Sequence, residues 1–93
     1  MKYLRVLWRH TFADEPVELL SEIDEARLEV RKIEIFRDGR RNFASRTESG
    51  GDALLSIEAL PSLAELASDP QFEAEQITKH EFELAWINLN SPP

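Results

Sequence analysis

Four period-two runs fill the first half of this chain, and both of its helix-start signals lie in the second half. Strands followed by helices point to an α+β fold, with helices covering one face of an antiparallel sheet. The first run spans residues 2–10, where Leu4, Val6, Trp8 and His10 alternate with Arg5, Leu7 and Arg9. The second spans residues 17–23, with Ser21 on the same side as Val17, Leu19 and Ile23. The third, residues 27–37, slips: Leu28 and Val30 are apolar at even positions, Ile33 and Ile35 at odd ones. A β-bulge at Arg31-Lys32 would return both pairs to one face; otherwise the strand is covered on different faces at its two ends. Asp38-Gly39 tolerates positive φ and predicts a two-residue type I′ hairpin. That hairpin sets Arg37 opposite Arg40, Ile35 opposite Asn42 and Ile33 opposite Ala44. The fourth run follows over residues 41–46.

In the second half, residues 47–52, with Gly50-Gly51, read as a mobile loop and residues 53–60 as a candidate edge strand. Ser62-Leu63-Ala64-Glu65 is a capping box that opens a helix, which Asp69-Pro70 ends. Residues 72–77 read as a brief extended segment. Thr78-Lys79-His80-Glu81 is a second capping box, followed by Phe82, Ala85, Trp86 and Leu89 at i, i+3, i+4 and i+7. Residues 90–93 form a tail. The expected architecture is an antiparallel sheet of four or five strands with two C-terminal helices packed on one face. A chain of 93 residues is short for two ordinary domains, so one domain over residues 1–93 is expected.

Charge is divided unevenly along the chain. Residues 1–46 hold ten of the eleven Lys and Arg against nine acids, whereas residues 47–93 hold Lys79 against nine acids. The net charge of −7 therefore belongs almost wholly to the second half. A broad negative field repels nucleic acid and anionic membrane and steers basic proteins inward. No run approaches the roughly 18 apolar residues that suggest a membrane span. Met1 to His10 lacks the apolar run of a signal peptide, and the chain has no cysteine. A cytoplasmic setting is expected.

Several runs carry a resemblance. They are Trp8-Arg9-His10, Glu15-Pro16, Ser21-Glu22-Ile23-Asp24, the stretch from Arg27 to Gly39, Pro61-Ser62-Leu63, Asp69-Pro70-Gln71-Phe72, and Ile77 to Trp86. Over nearly its whole length the chain resembles a family of small, single-domain bacterial proteins described as a domain of unknown function. The run from Arg27 to Gly39 is its most specific part. Leu20 stands where the resemblance would place a Tyr, and Leu28 where it would place a Trp. The resemblance implies a stand-alone bacterial cytoplasmic domain and carries no activity, cofactor or catalytic residue.

The residues themselves offer three readings. In the first, the acidic half docks a basic protein, as an inhibitor or immunity-type protein would dock a basic toxin enzyme. In the second, Trp8, His10, Glu22, Arg31 and Glu34, with Lys32 beside them, line a polar-ligand pocket on the sheet. The weakest makes His10 a general base oriented by Glu22 or Glu34. Against the first, an acidic face is commonly a solvated one that keeps a chain soluble. Against the last two, such charges on a half-exposed sheet form ordinary cross-strand ion pairs, and a His at a strand end commonly bonds backbone. Arg37, Arg40, Arg41 and Arg46 form a basic hairpin tip balanced by the acidic half. With no cysteine, two distant histidines and no ligand-loop spacing of carboxylates, neither a metal nor a cofactor is expected. A homodimer is compatible with all three readings.

Overall fold

The computed structural model describes residues 1–47, 49–50 and 53–90, with backbone only for 49, 50 and 90. The strands are β1 (Lys2–Trp8), β2 (Glu18–Ile23), β3 (Glu29–Ile35), β4 (Arg41–Ser45), the two-residue β5 (Ser49–Gly50) and β6 (Phe72–Ile77). The helices are α1 (Leu63–Ala67) and α2 (Lys79–Ile87), the latter continued by a 3-10 turn at Asn88–Asn90. The fold is α+β. One antiparallel sheet runs in the order β5-β4-β3-β2-β1-β6.

Three sequence expectations about the strands are corrected. Residues 72–77 form a full strand that pairs with β1 from Tyr3↔Ile77 to Trp8↔Phe72. Residues 53–60, the expected edge strand, contain no strand. The hairpin after β3 has a three-residue connection, so Ile35 faces Arg41 and Ile33 faces Phe43. Phe36 closes the loop by donating its N–H to the Arg40 carbonyl at 2.8 Å. Only Gly39 takes a positive φ there, 91°, the left-handed conformation that such three-residue loops require and glycine adopts without strain. Arg37 therefore does not oppose Arg40. Residues 48, 51 and 52 of the expected loop, and residues 91–93 of the expected tail, lie outside the described residues.

The expected bulge exists, but it falls at Val30 instead of Arg31-Lys32. Glu22 pairs with Arg31 while the adjacent Ile23 pairs with Glu29, leaving Val30 as the extra residue. The shift has a chemical consequence. In a regular strand Glu29 and Arg31 would share a face. Here Arg31 joins Glu22 and Tyr3, and Glu29 joins Ser21 and Lys32 on the reverse side.

The Tyr3 side of the sheet carries the main core, in which Tyr3, Leu20, Ile33 and Ile77 surround Phe82 of α2. Ile35, Ala85, Trp86 and Leu89 pack against it, so the whole helical stripe read from the sequence is used. α2 begins where it does because Thr78 accepts the Glu81 N–H and Glu81 returns the bond to Thr78. The same reciprocal cap joins Ser62 and Glu65 at α1, which lies against β6. On the Leu4 side, Leu4, Ile23, Ala44 and Ala53 are buried. Residues 53–61 are tied down there: Arg27 accepts the Leu60 N–H at 2.8 Å and its guanidinium donates to the Leu60 and Pro61 carbonyls.

Candidate functional site

The bulge and the pleat separate the sequence-selected residues into three places. Glu22 and Arg31 meet beneath α2. Arg31 Nε donates to Glu22 Oε1 at 2.6 Å and Nη2 donates to Oε2 at 3.1 Å. The Tyr3 hydroxyl donates to Glu22 Oε2 at 2.8 Å, and Arg31 Nη2 also reaches Glu83 of α2 at 2.8 Å. The guanidinium lies 4.9 Å from the ring centroids of both Phe82 and Trp86, a cation–π contact with each. Hydrogen bonds from Arg31 hold the Glu22 carboxyl below the ordinary carboxylate value despite its burial, and the Tyr3 bond adds to the effect. Burial, followed by the bond to Glu22, pushes the Tyr3 hydroxyl up. The Glu22 bonds raise Arg31. This is a closed ion-pair network linking sheet to helix.

Lys32 and Glu34 occupy the other side. Lys32 Nζ lies 3.5 Å from Glu34 and 3.9 Å from Glu29. Glu29, only 7% exposed, accepts the Ser21 hydroxyl at 3.1 Å and the Ser56 backbone N–H at 2.6 Å. The buried carboxylate thus anchors residues 53–61, which offer no regular partner to the sheet. An open cavity of about 430 Å³ includes Glu34 in its wall with Asp14, Glu15, Arg40 and Asn42. Trp8, His10, Glu22, Arg31 and Lys32 do not line it.

Trp8 ends β1 and His10 lies two residues beyond it, in an aromatic group with Phe12 and Phe72. The Trp8 and His10 rings are 4.2 Å apart, and His10 stacks on Phe12 at 5.4 Å. His10 Nε2 lies 2.7 Å from the Pro16 carbonyl, and Nδ1 accepts the Phe12 N–H at 3.0 Å. Those bonds assign the ring proton to Nε2 and occupy both nitrogens. The ring holds the connection from β1 to β2, and neither Glu22 nor Glu34 bonds to it. The basic tip is likewise dispersed: Arg37 donates to the His10 carbonyl at 2.7 Å, Arg40 lies 4.4 Å over Phe36, and Arg46 bonds Asp24 at 3.2 Å.

The pairing of β6 with β1 brings together charges that are far apart in sequence. Arg9 meets Glu73 at 2.8 Å, and Arg5 is shared between Glu75, at 3.1 Å, and Glu18. The bonds to Glu18 and Glu75 raise the Arg5 pKa. Arg5, Arg9 and Tyr3 were not singled out from sequence. Their signal was the odd-numbered face of the first run, on which Tyr3, Arg5 and Leu7 alternate with the apolar face. Among the described residues no group of three or more His, Cys, Asp or Glu side chains is placed to hold a metal ion. No helix in them is long and apolar enough to cross a membrane.

No match is found among curated proteins, and none among solved structures. The model of one family, described as Domain of unknown function (DUF6881), matches residues 2–91, a span that includes every strand, both helices and all three residue groups above. By that match, and in line with the runs from Trp8 to Gly39 and from Pro61 to Trp86, the chain belongs to the DUF6881 family.

Proposed function

We propose that the chain is a bacterial, cytoplasmic protein-interaction module whose acidic second half engages a basic partner, in the manner of an inhibitor or immunity-type protein. One observation carries this reading. The bridging cations are already divided: Arg5, Arg31 and Lys32 each serve two carboxylates. Among the described residues no Lys or Arg bridges Glu58, Glu65, Asp69 or Glu81. The surplus of negative charge thus stays at the surface of the second half, where a basic protein would meet it. The polar-ligand reading lacks support of this kind, because its residues are distributed over both sheet faces and one strand end.

The test is capture of proteins from the native lysate on the immobilised chain at low ionic strength, followed by a salt gradient. The Debye length shortens to about 10 Å at 0.1 M salt, so a partner held by charge elutes at moderate salt. Basic proteins eluting there support the reading; an empty low-salt capture removes it.

A further inference from the structure

We infer that the outer edge of β6 receives an extended basic segment of a partner as an added strand; this rests on the basic-partner reading and specifies its docking site. β6 is the last strand of the sheet. Its register with β1, together with the 2.7 Å bond from the Arg9 N–H to the Gln71 carbonyl, sets which groups point where. In an antiparallel pair the bonded residues alternate, so Glu73, Glu75 and Ile77 direct their backbone groups at β1. Ala74 and Gln76 direct theirs outward. Among the described residues, nothing bonds to the outward N–H and C=O groups of these two. Gln76 is exposed and Ala74 half-buried, with α1 also lying against β6.

The side chains beside this edge select the occupant. Glu73 and Glu75 are 64% and 59% exposed and stand on one face of β6, at the margin of a groove of about 200 Å³ that Arg5 and Leu7 also line. An added strand bonded at Ala74 and Gln76 would set its alternate residues opposite Glu73 and Glu75 in the closer, non-bonded pairs. Glu73 already meets Arg9 and Glu75 already meets Arg5, so Lys or Arg at those positions adds a second cation to each exposed carboxylate. A second copy of this chain fits badly. In the two central antiparallel registers, β6 against β6 puts Glu73 opposite Glu75, or Glu75 opposite its own copy. Edge carboxylates of this kind discourage self-pairing, and the same two admit a basic strand.

The experiment uses an eight-residue peptide alternating Lys with Thr and Val, acetylated and amidated, and an analogue with Pro at alternate non-Lys positions. The analogue keeps the charge and cannot form a ladder. Amide hydrogen exchange is read residue by residue on the full chain at low salt. The expected result is at least about tenfold slower exchange at Ala74 and Gln76 with the alternating peptide only. Glu73→Gln with Glu75→Gln should remove most of that protection while leaving exchange in β2 to β4 unchanged. Salt-sensitive binding of both peptides with no change at Ala74 and Gln76 would overturn strand addition and leave the basic-partner reading standing. No binding of either peptide would count against both. Protection that grows with protein concentration in the absence of peptide would assign the edge to a second copy and overturn the inference.

Discussion

Arg31 makes three kinds of contact at once: a forked bond to Glu22, an ion pair to Glu83, and cation–π contacts to Phe82 and Trp86. Removing one member of a buried pair leaves an uncompensated charge, which typically costs about 3–5 kcal/mol. Arg31→Met should therefore destabilise by about that amount in urea titration. Adding Glu22→Gln should recover much of the loss, because the stranded charge is gone. The pH dependence has a definite sign. Glu22 is depressed in the folded state, so its contribution is present above the ordinary carboxylate pKa of about 4.3 and is lost as pH falls through the lower folded value. Acid titration of Glu22→Gln should show a shallower loss of stability than the parent chain. Arg27 supplies a second residue-scale test. Its φ is 63°, in the left-handed region, while its side chain clamps Leu60 and Pro61. Arg27→Ala and Arg27→Gly both lose the clamp, but only Gly relieves the backbone. The Gly variant should be the more stable of the two by about 1 kcal/mol, or roughly 4–8 °C in melting temperature.

The two helices start with the same device and differ in what they bury. α2 places Phe82, fully buried, at the centre of the main core, whereas α1 has five residues and none of them is buried. Loss of a cap costs about 1 kcal/mol where the helix is coupled to the fold. Thr78→Ala should lower global stability by about that amount in a melting curve. Ser62→Ala should act locally, speeding amide exchange in α1 with a smaller shift of the midpoint. These caps were legible from sequence because a capping box closes within four residues and needs nothing distant. The hairpin was only half legible: Asp38-Gly39 marks the turn, but a three-residue loop with Gly39 left-handed satisfies the same chemistry as a two-residue one. That choice moves the register of β4 by one residue. The bulge followed the same course. The slip in apolar phase announced it, while its place at Val30 depends on how Glu29 and Arg31 find their separate partners.

Across the whole molecule the uneven charge of the two halves acquires a structural role. The mixed-charge half and the acidic half are laid side by side where β6 joins β1, and Arg5 and Arg9 meet Glu75 and Glu73 there. The remaining surplus opposes the compact state through self-repulsion. Glu58 is exposed and makes no ion pair among the described residues, so Glu58→Lys should leave stability unchanged or raise it by up to about 0.5 kcal/mol. A melting curve at low salt checks this, with the gain fading as salt is added. What the amino-acid sequence alone determined is local: the α+β class, the two caps, the helical stripe that enters the core, and the negative surplus. Only the tertiary structure decided that residues 72–77 complete the sheet, that Glu22 and Arg31 close on each other beneath α2, and that His10 fastens a turn. The physical reason is that period and capping are short-range properties of a chain. Strand partners, and the face on which a charge finally stands, depend on contacts between residues tens of positions apart and on one extra residue in β3.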